Sequence, residues 1–325
     1  MRGSYIIASA SWGAALLLSG CHPAVGVPTP RVEAGLASAP ATPPTLAELK
    51  NATYKGLEEP AGAIMLKDGR WEGRPYQPGG AARPSVSLAS GFRVTGDLDG
   101  DGTDESVVVL AKSSGGSGTF DYLAVVKRTA TGIDNVATVA LGDRVQIRSA
   151  RIENGMLHVS VVRAGDNDPM CWPGELADLA WTFAGSHLAP VAVSGPTSRL
   201  SLDTLAGTEW VLRAWSFDEP APTEPEITLT YRDGRFAGRS GCNRYTAPAK
   251  AGDLPGNLSV GPVASTRMAC PENESAVEAR FLRQLGTAKK FGFTLGRLGI
   301  TYEAEDGGLG TMLFDGRTLP PTAKP

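Results

Sequence analysis

From Gly96 to Glu105 the chain reads Gly-Asp-Leu-Asp-Gly-Asp-Gly-Thr-Asp-Glu, and its alternating Asp97, Asp99 and Asp101 suit a loop that curls its carboxylates inward. Gly102 permits a sharp bend, Thr103 offers a main-chain carbonyl, and Glu105 adds another carboxylate four residues after Asp101. Hard oxygen donors at alternate positions suit Ca²⁺, which gathers six to eight of them. The expectation is a structural calcium site made of Asp97, Asp99, Asp101, Thr103 and Glu105. The alternative is an acidic turn without metal.

Other catalytic chemistry finds little support. The only histidines are His22, His158 and His187; His22 lies in the tether, and neither of the others has a carboxylate or cysteine nearby at ligand spacing. Neither a His-Glu-x-x-His nor a Gly-x-Ser-x-Gly pattern is present. The glycine-rich run Ser113 to Gly118 lacks the Lys-Ser/Thr pair and following helix of a phosphate loop, so it reads as a hairpin connection. The expectation is a chain that is not an enzyme. A hydrolase whose site assembles only in space is the alternative from that class.

The elements around the acidic loop are strands. Glu105 to Lys112 and Phe120 to Arg128 are apolar runs joined by the glycine loop, and Arg144 to Ser149 and Met156 to Arg163 continue the pattern, with a turn at Glu153-Asn154-Gly155. Asp68-Gly69 suits a hairpin between Leu66 and Trp71. Thr45 to Tyr54 reads as a short helix. The acidic loop runs directly into a strand and has Val108 where an EF-hand places its closing glutamate. It resembles the calcium loops of integrin-type propeller repeats, although a single copy does not imply a propeller. With 40 glycines and 24 prolines in 325 residues, short strands and turns are favoured over long helices.

At the amino terminus, Arg2 precedes an uncharged stretch from Tyr5 to Leu18 that ends in Leu18-Ser19-Gly20-Cys21. That ending resembles a bacterial lipobox. The resemblance implies cleavage before Cys21 and acyl chains of the palmitate class on that residue, and His22 in the following position implies the outer membrane. Residues 22–44 hold six prolines and only Arg31 and Glu33 as charges, which describes an extended tether. A formal net charge of −3 and no long basic run exclude nucleic acid as the main partner.

Leu205 to Leu212 opens a second set of strands, and Glu226 to Tyr231 alternates towards a turn at Asp233-Gly234. A helix is expected from Pro271, with Val277, Phe281, Leu282 and Leu285 as its buried stripe and Gly286 at its end. Asp-Gly-Arg recurs at 68–70, 233–235 and 315–317, which convergence on a hairpin turn explains better than duplication.

The ordered run Gly241-Cys242-Asn243-Arg244-Tyr245, then Thr266-Arg267-Met268-Ala269-Cys270-Pro271, then a last strand ending Leu313-Phe314 resembles the META domain of HslJ-type heat-shock lipoproteins. The resemblance implies a mainly antiparallel β domain with one helix. It also implies that Gly241, Asn243, Arg244, Tyr245, Thr266, Arg267 and Met268 are structural, Asn243 by capping groups and Arg267 by reaching carbonyls. The segment before it resembles the region found beside META domains in some envelope lipoproteins. Cys242 and Cys270 either pair, stabilising the domain by about 3.5 kcal/mol, or remain buried thiols. Cys171 is either buried or pairs between molecules.

The whole reads as a mainly β (α+β) protein with two antiparallel β-rich domains: signal 1–21, tether 22–44, first domain 45–197, META domain 203–318. The expected role is a cell-envelope lipoprotein serving as a non-catalytic binding or structural accessory module in envelope stress or antibiotic tolerance. Its expected partners are the membrane, through the anchor, and an unidentified envelope protein or ligand. The alternative is a periplasmic inhibitor of a hydrolase that presents Asn243 to Lys250 as an exposed loop.

Overall fold

The computed structural model describes residues 42–58, 62–116, 118–169, 171–193, 195 and 197–319. The signal segment, Cys21, His22 and nearly all of the tether lie outside them, as do Ser117, Met170 and Ser194. The described residues belong to one compact unit.

Helix α1 spans only Leu46–Leu49, shorter than the expected 45–54. Thr45 and Glu48 form a capping box that starts it, but Tyr54 is drawn into a strand and closes back by donating its hydroxyl to Leu49 O at 2.9 Å. Strands β1 (Thr53–Lys55) and β2 (Ala63–Met65) make a small antiparallel pair. A five-stranded antiparallel sheet follows in sequential order: β3 (Arg70–Glu72), β4 (Ser85–Gly96), β5 (Glu105–Ser113), β6 (Thr119–Thr129) and β7 (Gly132–Asp143). A second sheet carries β8 (Gln146–Glu153), β9 (Met156–Arg163), β10 (Glu175–Ala184) and β11 (His187–Val191), with β12 (Ser198–Arg199) beside β10.

The sheet β3–β7 is covered on both faces. Val108, Leu110, Tyr122, Ala124 and Val126 pack against Leu49, Tyr54, Leu57, Ile64 and Leu66. Val107, Val109, Leu123 and Val125 meet Ile147, Leu157, Val159, Val161 and Trp181 of the second sheet. Burial on both faces is why β5 reads as a continuous apolar run instead of alternating. The turns at Asp68-Gly69 and Asn154-Gly155 both use positive φ angles, as a tight two-residue hairpin turn requires.

Residues after 200 form a nine-stranded antiparallel sheet. Its strands are β13 (Thr208–Ala214), β14 (Thr228–Arg232), β15 (Arg235–Arg239), β16 (Arg244–Ala251), β17 (Leu258–Val260), β18 (Ala264–Ser265), β19 (Ala288–Thr294), β20 (Arg297–Glu303) and β21 (Leu309–Thr318). The order is β17-β16-β15-β14-β13-β21-β20-β19, with β18 on β16. Phe291 N donates to Gly256 O at 2.8 Å and Asn257 bridges Lys290, so the two edges curl towards each other into a near-barrel. The expected strand at 205–212 begins three residues later, because Leu202–Leu205 forms a 3₁₀ turn. Helix α2 spans Glu272–Gly286, with Pro271 just before its first turn. Its Phe281 and Leu285 are buried with Trp210, Phe236, Tyr245 and Phe314, while Val277 and Leu282 are partly buried against that core. A mainly β, antiparallel fold with one main helix is therefore what forms. No helix among the described residues is long and apolar enough to cross a membrane.

The segment Asn243 to Lys250, which the inhibitor alternative takes as an exposed loop, is instead mostly β16, paired with β15 on one side and with β17 and β18 on the other. Its alternating burial, Tyr245, Ala247 and Ala249 inward, is the strand signal. The third Asp-Gly-Arg, at 315–317, lies within β21 opposite Glu209 to Val211 and makes no turn.

Candidate functional site

Strand β4 ends at Gly96 and β5 begins at Glu105, so the acidic loop is a connection across a sheet edge. Its carboxylates first fold the loop itself. Asp97 accepts from Gly100 N at 2.7 Å and Gly102 N at 2.9 Å, Asp99 from Asp101 N at 3.2 Å, and Asp101 from Thr103 N at 2.8 Å. Short acidic side chains often close turns in this way. Glu105 is fully buried; its Oε2 accepts from Leu98 N at 2.8 Å, and its Oε1 has no hydrogen-bond partner.

Carboxylate oxygens of Asp97, Asp99 and Glu105 lie within 4.8 Å of one another, a separation at which one cation can meet all three. Asp101 stands outside that trio, and Thr103 is held by its amide. Into the same cluster β6 sends Lys127. Its ammonium donates to Asp99 and, at 2.6 Å, to Asp101, and lies 3.7 Å from Glu105 Oε1. Burial raises the Glu105 carboxyl above its ordinary range; the Leu98 amide and the Lys127 charge oppose the shift, and Asp99 and Asp101 add to it. Burial works against the Lys127 ammonium, yet its bonds to Asp101 and Asp99 outweigh this and raise it. The donor set fits a hard cation, and a lysine already supplies one positive charge there. Sequence spacing alone did not mark Lys127. The β5–β6 register pairs Ser106 with Val126, which sets residue 127 opposite residue 105.

The second cluster joins β16 to α2. Cys242 and Cys270 form a disulfide across 28 residues, with Cα atoms 6.1 Å apart. Between them sits Asn243, buried to 5% exposure. Its Oδ1 accepts from Thr266 Oγ1 at 2.7 Å and Met268 N at 2.8 Å; its Nδ2 donates to Glu278 Oε1 at 3.1 Å and reaches Cys270 Sγ at 3.5 Å. Glu278 Oε2 accepts from Asn243 N and Ser240 Oγ, both at 2.9 Å. Asn243 needs no unusual backbone angle, because Gly241 takes the positive φ of 110°. Tyr245 is buried and donates to Thr228 O at 3.0 Å, while Arg244 contributes main-chain bonds to Thr266. Arg267 departs from its expected role: it is exposed and makes no hydrogen bond or ion pair among the described residues. Met268 is 63% exposed. Glu278 was missed because it flanks the helix's buried stripe instead of belonging to it.

Beside the disulfide lies an open groove of about 730 Å³ lined by Pro225, Arg239, Gly241, Cys242 and Met268. Cys171 is an exposed free thiol. Its carbonyl accepts from Lys290 at 3.3 Å, and the Lys290 ammonium sits 3.9 Å over the Trp172 ring.

Residues 203–309 match the META domain family. No curated protein matches the chain. Among solved structures, an NMR structure of a protein from Burkholderia xenovorans is 28% identical; the match covers 40% of this chain and 96% of that one, with a TM-score of 0.29. The META match supports an accessory domain of the bacterial envelope and assigns no reaction.

Proposed function

We propose that the chain is a cell-envelope lipoprotein, held by acyl chains on Cys21 and facing the periplasm from the outer membrane. Its β body serves as a non-catalytic binding or structural accessory module in envelope stress or antibiotic tolerance. One observation carries the non-catalytic part: the polar groups of the META motif are spent on each other. The Asn243 amide joins Thr266, Met268 and Glu278, and Glu278 joins Ser240 in return. A cluster that satisfies its own donors and acceptors fixes the approach of helix to sheet and leaves little to polarise a substrate. The inhibitor reading loses its protruding loop, since those residues are a paired strand. Calcium, where it binds, would be held by Asp97, Asp99 and Glu105 and would brace the loop between β4 and β5, displacing the Lys127 ammonium.

Two substitutions test the reading. Asn243→Ala should destabilise by roughly 1–3 kcal/mol, the cost of leaving buried partners unpaired; a variant that melts like wild type yet abolishes the cellular phenotype would make the motif a working surface. Cys21→Ser should move the protein out of the membrane fraction. Retention like wild type removes the anchor.

A further inference from the structure

The outer face of strands β14, β15 and β16 carries arginines that form no ion pair among the described residues. Register places Arg232 opposite Arg235, and Arg239 opposite Arg244. Residues directly opposite share a face, and so do residues two or four apart on one strand. The other face holds Leu229, Phe236, Tyr245 and Ala247 in the core, so Arg232, Arg235, Arg239 and Arg244 all lie on the solvent side. They are exposed, as are Arg267 and Met268 just beyond β18. No Asp or Glu occurs in β14, β15, β16 or β18.

Elsewhere arginines find carboxylates: Arg128 with Glu48, Arg199 with Asp168, Arg280 with Glu219, Arg317 with Glu209 and Glu226. None of the five on this face forms an ion pair among the described residues. Arg235 donates only to Thr246 Oγ1, at 3.1 Å. Asp233 stands in the turn between Arg232 and Arg235 but forms an ion pair with neither, and in the groove past Arg239 Glu224 and Glu274 likewise stand without an arginine in ion-pair range. Like charges directly opposite in a sheet cost stability, so Arg239 facing Arg244 is an arrangement that folding alone does not favour. Four residues of strand span about 13 Å, so the array is spread over an open strand face, and of its four strand arginines only Arg239 lines the groove beside the disulfide. Guanidinium groups match phosphate oxygens in pairs, and an exposed methionine at the margin suits an interface that is apolar just below its charge.

The geometry points to this face as a docking surface for an anionic phospholipid bilayer, against which it lays the META sheet. The choice of a lipid surface rests on the anchor reading above, since a tether of some twenty residues keeps the body near its bilayer; the arginine array does not depend on it.

The test uses the protein from residue 22 onward, which has no anchor and keeps the whole compact unit of residues 40–325. It should sediment with phosphatidylglycerol vesicles, not with phosphatidylcholine vesicles, and should be released by salt as surface charges are screened. Arg239→Gln with Arg244→Gln should weaken binding roughly 25-fold, from about fivefold per arginine at an anionic surface. The same pair should melt at or above wild type, because it removes a repulsion. Arg83→Gln with Arg151→Gln, an equal loss of charge from the region before residue 200, should leave binding nearly unchanged. Equal sedimentation with both vesicles, no sedimentation with either, or full binding by the Arg239/Arg244 variant overturns the proposal. Tighter binding to soluble polyphosphate than to vesicles overturns the membrane as partner. Failure of the anchor would appear separately, in the fractionation of Cys21→Ser.

Discussion

Before residue 200 the sheets bury Glu105, Ser106, Lys112 and Asn135, with Asp121 half-buried; after it they bury Thr228, Ser240 and Asn243. The earlier region holds charged side chains inside its sheets. Lys112 donates to the carbonyls of Leu57 and Glu58, at 2.7 and 3.2 Å, and Lys127 spans three carboxylates. The later region relies on neutral amides and hydroxyls, with Glu278 at the margin and a covalent link beside it. Charges held in a low-dielectric setting respond to protons and cations, whereas neutral hydrogen bonds do not. The two regions should therefore fail under different insults: the first to pH and ions, the second to reductant.

The largest expected effect is reduction. Breaking Cys242–Cys270 should cost about 3.5 kcal/mol on the chain-entropy estimate, and amide exchange should quicken across 208–318 while β4–β7 keep their protection. Equal loosening of both regions would break the comparison.

Next comes Asp121. Burial pushes its carboxyl up to about 6, with Asp143 adding to the shift against the amide of Val145. In the unfolded chain an aspartate titrates near 3.9. Between about pH 4 and 6 the folded chain thus holds a proton that the unfolded chain has lost, so this group's contribution to stability falls as pH rises through that window and is level above it. The difference is at most about 3 kcal/mol. Asp121→Asn should flatten the pH dependence of melting between 4 and 6 and raise stability above pH 6; an unchanged slope would sink the assignment.

The smallest effect concerns Lys127. Calcium at 100 times its dissociation constant would add about 2.7 kcal/mol, but a resident ammonium must first leave. Wild type should therefore respond less to calcium than Lys127→Gln, which exposes Asp99, Asp101 and Glu105 to one another. Equal melting of that variant in calcium and in chelator would reduce the loop to a turn.

Strand identity and the helix were legible because their signals are local. Tyr245, Ala247 and Ala249 alternate, and Phe281 and Leu285 fall one helical turn apart. What escaped was long-range. Lys127 joins Asp99 only through the β5–β6 register, Glu278 reaches Asn243 across 35 residues, and Arg267 shows its solitude only when every neighbour is placed. The strand over 244–251 is also a local signal, since Tyr245, Ala247 and Ala249 alternate inward along it.

The nine-stranded sheet has a property that reaches past its stability. Its first and last strands are neighbours, with Thr208 opposite Thr318, so the chain enters and leaves this unit at one place. A unit with adjoining ends can be spliced into or behind another protein at a single point, without threading its new host. On that footing the META segment is a portable cassette. Its core is nevertheless shared in part with the sheets that precede it here, since Val162 of β9 belongs to it and Leu176 of β10 packs against it.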